Sequence, residues 1–230
     1  EDHSPVDIRF KKQKVRGVTA NVICAAMLGG DEYPSSAIGI NLPNADWIRA
    51  RYGSKSVTIS NLTDAYKKAA HGNGLLQEFV IDDDTRRIIE QYGDLCDDLH
   101  TDLHECLGHG SGQMLPGVSP DSLKAYGSTI EEARADLFGL YYLPDQKLID
   151  LKLVPDAEAY KSQYYTYMMN GLLTQLVRIK PGHQIEEAHM RNRAIIARWC
   201  LANSQGDVEI VKRGNKSFVK INDYQALRDC

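Results

Sequence analysis

The sequence has no excess of basic charge: 27 Lys and Arg stand against 31 Asp and Glu, a net charge of −4. With no basic stripe either, a nucleic-acid partner is not expected. Long apolar runs are missing too. The longest plain one, Val22 to Leu28, is about a third of the ~20 residues that a bilayer span needs, so no membrane partner is expected. The five cysteines, Cys24, Cys96, Cys106, Cys200 and Cys230, are odd in number and contain no Cys-x-x-Cys pair. That excludes an all-cysteine zinc site and offers no disulfide framework. Reduced thiols, and with them a cytoplasmic location, are the expectation. The opening Glu1-Asp2-His3-Ser4-Pro5 has no initiator Met and no signal pattern, and Leu227 to Cys230 stops inside a helix start. The chain therefore reads as a fragment of a longer protein.

What is present is globular material, 43% hydrophobic and 25% charged over 230 residues, enough for one large domain or two small ones. The pattern predicts a mainly α fold with smaller β elements (α+β). Residues 1–43 read as a β-rich segment, with Gly29-Gly30 and Tyr33-Pro34 as loop signals. Residues 44–204 read as helical. Asn44 can cap a short helix through Asp46 to Arg49, stopped by Gly53, and a second helix runs from Leu62 to Ala70. From Asp84, Ile88, Ile89, Tyr92, Leu95, Leu99, Leu103 and Leu107 recur at three- and four-residue steps, which predicts a helix of about six turns. Ser128 to Tyr142 opens as a capping box, Ser128 facing Glu131. Helices over Asp156 to Ile179 and Ile185 to Asn203 follow, separated by Pro181-Gly182, and residues 205–230 carry a hairpin, Val208 to Val211 and Phe218 to Ile221.

Chemistry concentrates in two helices. His104-Glu105-Cys106-Leu107-Gly108-His109 has the form of a zinc-peptidase helix with one residue more than His-Glu-x-x-His. At about 100° per residue, a four-residue step returns the second histidine to roughly 40° from the first, whereas five residues leave it about 140° away. A regular helix cannot chelate with that pair; a π-like widening can, and Gly108 is where it costs least. An irregular turn at Cys106 to Gly108 is expected. A catalytic zinc takes three protein ligands and keeps one position open, and Glu131-Glu132-Ala133-Arg134-Ala135-Asp136 supplies candidates for the third. Glu132 and Asp136 share a helix face, so Glu132 can bind metal while Asp136 orients one histidine and Glu131 the other. His100 with His104 has the regular spacing but lacks the adjacent glutamate base. Cys106 lies about 100° from the metal-facing side and reads as a packed thiol, and the aromatic and Met residues of Tyr164 to Met169 read as core.

The paired motifs resemble those of the dipeptidyl peptidase III family, a similarity that extends to Gly39-Ile40-Asn41-Leu42-Pro43-Asn44, to Gly110-Ser111-Gly112 and to Glu187-Ala188-His189-Met190. It covers about Lys14 to Trp199, and Cys106 inside the histidine motif is similar to the bacterial branch. The resemblance implies one Zn2+ per chain on His104, His109 and Glu132, with Glu105 as catalytic base and His189 stabilising the transition state. It implies that Asn41 and Asn44 hold the amino end of a short peptide substrate and that the strand through Gly39 pairs with its backbone. The implied fold is the helical zinc-binding lobe of a two-lobed metallopeptidase with part of a β core, its partners being the remaining lobes of the full-length enzyme. The implied reaction is release of dipeptides from peptide amino ends. The family's acidic and tyrosine substrate residues lie upstream of this segment and its substrate-binding arginine downstream. Two other readings stand beside it: a zinc endopeptidase of another lineage, and a non-catalytic metal-binding or interaction fragment.

Overall fold

Short stretches rich in β-branched and small residues form a three-stranded sheet near the amino end. The computed structural model describes residues 2–14, 18–27, 29, 37–43 and 45–230. Strands β1 (Val18–Ile23) and β2 (Gly39–Leu42) fall in the segment expected to be β-rich, whereas Gly30, Tyr33, Pro34 and Asn44 lie outside the described residues. Helix α1 (Asp46–Tyr52) ends at Gly53, and β3 (Ser54–Ile59) follows it directly. Strand order is β1-β3-β2. β1 runs parallel to β3, with Val18 opposite Ser54, and β2 runs antiparallel to it, with Asn41 opposite Ser56. The central strand was not expected from sequence, which placed it in a helical region. Its polar Ser-Lys-Ser start carries little strand signal, and both its partners are remote in the chain.

Helices α2 (Ser60–Ala70), α3 (Leu75–Phe79) and α4 (Asp83–Leu103) come next, and the side chain of Asp82 caps α4 by accepting from Thr85 N at 2.8 Å. A 3-10 turn at Pro120–Tyr126 leads into α5 (Gly127–Tyr142), followed by α6 (Gln146–Asp150), α7 (Tyr160–Leu172), α8 (Ala188–Asn203), the hairpin β4 (Val208–Arg213) and β5 (Lys216–Ile221), and α9 (Tyr224–Asp229). The fold is mainly α with small sheets, as the sequence pattern predicts. No helix among the described residues is long and apolar enough to cross a membrane.

Helix α7 is the axis of the core. Tyr164, Tyr167 and Met168 pack with Ile196 and Ala197 of α8 and Val219 of β5, while Tyr165 and Met169 on its other side meet Val80, Ile89 and Phe218. The Tyr and Met residues of this stretch are therefore core, as read. The limits of three helices differ from expectation. The chain enters α5 already helical through Tyr126, with no side-chain cap bond, so Ser128 is not a cap; Glu131, its expected partner, is bound to His109 and Arg134 instead. Helix α7 starts at Tyr160, after a turn at 157–159 where the Asp156 carboxylate accepts from Glu158 N and from the Tyr92 hydroxyl, and the segment breaks at Leu173 (φ −130°, ψ −67°) into a 3-10 turn at Thr174–Arg178. Helix α8 starts at Ala188, where the Glu187 carboxylate accepts from His189 N and Met190 N.

Candidate metal centre

Helix α4 continues without a break into a π-helical turn at His104–His109. The wider turn lets a five-residue step come close to a full circle, and the two imidazoles meet with ring centroids 4.7 Å apart. The expected irregularity is present and begins two residues before Cys106. Gly108 makes it possible in a second way: a Cβ there would stand 2.6 Å from Ala135 Cα, so the turn and α5 touch backbone to backbone. That contact brings Glu131, Glu132 and Asp136 of α5 under the two histidines.

Each imidazole is gripped at Nδ1 and presents Nε2. His104 Nδ1 donates to Asp136 Oδ1 at 2.7 Å and His109 Nδ1 to Glu131 Oε1 at 2.8 Å. The Nε2 atoms converge on one oxygen, Glu132 Oε2, at 3.2 Å from His104 and 3.5 Å from His109. From α8, His189 Nε2 reaches the same oxygen at 3.2 Å. The three donor atoms of His104, His109 and Glu132 all lie within 4.8 Å of one another.

These residues fit a divalent cation. Ligands about 2.1 Å from a tetrahedral zinc stand about 3.4 Å apart, which the two His–Glu132 distances bracket. Glu132 Oε2 is buried against the Nε2 atoms of His104, His109 and His189, and two neutral imidazoles with one carboxylate leave a bound dication net positive.

Protonation follows the same geometry. Burial pushes Glu132 up, but the three imidazoles outweigh it and hold the carboxylate far below its usual range. Burial likewise opposes the charge on His104, yet Asp136 and Glu132 raise it to about 10. For His189 the bond to Glu132 is the largest effect, and with Glu187 it outweighs burial and lifts the ring to about 9. Asp136, raised by burial, is held at about 2 by His104, His100 and Tyr167. Glu105 goes the other way. Its burial dominates and raises it, opposed by His104 and His109, and its Oε2 is buried without a partner.

The model of "Peptidase family M49" matches residues 32–124 and 119–226. The chain belongs to peptidase family M49. Dipeptidyl peptidase 3 of Dictyostelium discoideum is 25% identical over 225 residues, covering 80% of this chain and 31% of that protein. Dipeptidyl peptidase 3 of Mus musculus is 26% identical over 239 residues, covering 90% of this chain and 31% of that protein. The chain thus spans 31% of the length of each of these relatives. Among solved structures, DPP III from Caldithrix abyssi superposes with a TM-score of 0.59 at 23% identity over 84% of this chain and 35% of that one, a likeness of fold.

In this M49 chain Gly39 and Asn41 sit beside Glu105. Asn41 is buried, and its Nδ2 donates to Glu105 O at 3.1 Å and to Ser56 Oγ at 2.8 Å, while its Oδ1 has no hydrogen-bond partner. A Cβ on Gly39 would stand 3.1 Å from Glu105 Oε1, so β2, an edge strand of its sheet, passes close against the carboxylate, and a side chain there would make the carboxylate shift by a few tenths of an ångström. Asn44 is outside the described residues. Cys106 is half-buried with its thiol pushed up by burial and is not among the converging donors.

His100 does not join the cluster. Its Nδ1 accepts from Gln163 Nε2 at 2.9 Å and its Nε2 faces Asp136 O at 3.4 Å, and burial keeps the ring neutral. The four-residue step from His104 put it on the right face but one turn too far back. Two further residues escaped sequence reasoning. Arg134 clasps Glu131 at 2.6 and 2.9 Å, and Tyr167 donates to Asp136 Oδ2 at 2.7 Å.

Proposed function

We propose that this chain carries the metal centre of a zinc-dependent exopeptidase that releases dipeptides from the amino ends of short peptides. The observation that carries the reading is the convergence of His104 Nε2, His109 Nε2 and Glu132 Oε2 beside the buried, unpartnered carboxylate of Glu105. His104, His109 and Glu132 would hold one Zn2+, which when bound supplies Lewis-acid polarisation of the scissile carbonyl and a more acidic water. Asp136 and Glu131 fix the rings that face it.

Glu105 takes a proton from the attacking water and passes it to the leaving amine. Its raised affinity for protons suits both halves of that exchange. His189, protonated or donating from a neutral imidazole, stabilises the developing oxyanion, a role worth about 3 kcal/mol where such donors have been removed elsewhere. Asn41 offers its free Oδ1 to the peptide's amino end, with Asn44 as its companion, and the edge of β2 through Gly39 pairs with substrate backbone. Residues 44–204 then form the zinc-bearing lobe and residues 1–43 part of the substrate-binding core, with β3 completing its sheet; residues 205–230 close the helical side. A cytoplasmic location belongs to the same reading.

The 31% span favours one alternative, a metal-binding fragment that is inactive without flanking regions of a longer enzyme. Zinc content by mass spectrometry, paired with release of a chromogenic dipeptidyl amide before and after chelation, separates the two. One zinc per chain with chelator-sensitive release supports the peptidase; zinc without release supports the fragment; no zinc overturns both. Glu105→Gln should keep zinc and abolish release, and retained turnover would sink the general-base role.

A further inference from the structure

We propose that Tyr167 is a positioning residue of the metal centre: from the core helix α7 it fixes the Asp136 carboxylate, which in turn fixes the His104 ring. The inference rests on the metal-site reading above and extends it one residue further into the core.

Asp136 is 6% exposed, and a buried carboxylate needs a donor at each oxygen. His104 Nδ1 serves Oδ1 at 2.7 Å, and Tyr167 Oη serves Oδ2 at 2.7 Å. His100 stands farther off, its Nε2 3.6 Å from Oδ1. Without the phenol, Oδ2 would have no donor, and the carboxylate could rotate away from the plane that meets His104. The Tyr167 ring is 4% exposed and packed with Met168, Ile196 and Ala197, so Oη has little freedom.

A phenol has one proton, and it is committed to Asp136. The second neighbour of Oη, the carboxamide of Asn192, is 3.4 Å away, fully buried, and its Nδ2 has no partner. The two ends of a carboxamide are sterically alike. Turned with Nδ2 toward Oη, Asn192 gains its missing acceptor and supplies the phenol with an incoming donor. The resulting line Asn192–Tyr167–Asp136 runs from α8 through α7 to α5, where the carboxylate accepts from Tyr167 on one oxygen and from His104 of the π-turn on the other. Outer partners of metal-bound histidines typically cost 10–100-fold in metal affinity when lost; one step further out, the low end applies.

The test uses Tyr167→Phe in the 230-residue chain, since the ring and its packing are retained. Zinc affinity by chelator competition should fall about tenfold. The exchange rate of the His104 Nδ1 proton, followed by histidine NMR in chelator-treated protein, should rise at least severalfold. Tyr164→Phe is the control: it deletes another buried hydroxyl of the same helix, bonded to Leu140 O at 2.8 Å, and should change neither readout even if it lowers stability. On an Asp136→Asn background, Tyr167→Phe should have no further effect on affinity. If wild-type chain binds no zinc, the metal reading fails, yet the His104 proton still decides the role of Tyr167. Equal effects of Tyr167→Phe and Tyr164→Phe on that proton, or none from either, would overturn the proposal.

Discussion

Gly108 lies against Ala135 so closely that a side chain at position 108 would overlap the α5 backbone, 2.6 Å from Cα and 2.9 Å from the carbonyl oxygen. The metal-facing geometry of the π-turn therefore depends on a missing methyl group. Gly108→Ala should push the turn off α5, with the 1–3 kcal/mol cost roughly typical of overpacking, read as a lower urea midpoint. Zinc affinity should drop by more than the Tyr167→Phe loss, because all three donors shift relative to one another. Unchanged affinity would mean that the turn can be held without this contact.

Proton and metal compete at the same nitrogen, and stability and affinity should therefore respond to pH in opposite directions. In chelator-treated protein, His104 at about 10 lies above its ordinary 6.5, so the stability it contributes is complete below about pH 6.5 and is lost as pH rises through 10. Asp136 at about 2 lies below its ordinary 3.8, so its contribution is complete above about pH 4 and is lost as pH falls through 2. The zinc-free chain should be most stable between about pH 4 and 6.5. Zinc must displace the His104 proton, so its apparent affinity should climb with pH over the same range in which zinc-free stability declines, about tenfold per unit for each proton released. Thermal melts and zinc titrations across pH 4 to 10 check both slopes.

Asn41 sits beneath Glu105 and holds its backbone carbonyl. Asn41→Ala removes that bond and the one to Ser56, which should cost about 1–2 kcal/mol of stability. If its free Oδ1 also meets the substrate's amino end, KM for a dipeptidyl amide should rise together with a fall in kcat. A fall in kcat alone would confine Asn41 to supporting Glu105.

Arg134 acts on His109 through Glu131. Arg134→Ala leaves the Glu131 carboxylate with one hydrogen bond, from His109, instead of three, and zinc affinity should weaken by a few-fold, less than for Glu131→Gln, which removes the charged acceptor itself. Chelator competition on the two variants gives the ranking directly.

Much of the centre was legible because its information is local. The five-residue step from His104 to His109 demanded a widened turn, and the spacing of Glu131, Glu132 and Asp136 set them on faces of α5 that lie against the two imidazoles. What escaped was carried by contacts between distant segments. β3 is a strand because β1 and β2 flank it, whatever its own serines prefer. Ser128 looked like a cap until Glu131 was claimed by His109 and Arg134. Tyr167 was read correctly as core, but a core residue at helical spacing gives no sign in sequence that its hydroxyl ends on Asp136.

The extra residue in the π-turn also bears on how such a site can change over generations. Deleting Leu107 would return the common four-residue spacing between the histidines, yet it would rotate everything after it by about 100° and take the glycine off Ala135. The shorter register would then require a new small residue at the contact and a re-aimed Glu131 at the same moment. A single deletion thus disturbs the contact with α5 and the convergence on Glu132 together, so the five-residue spacing and Gly108 are tied to each other.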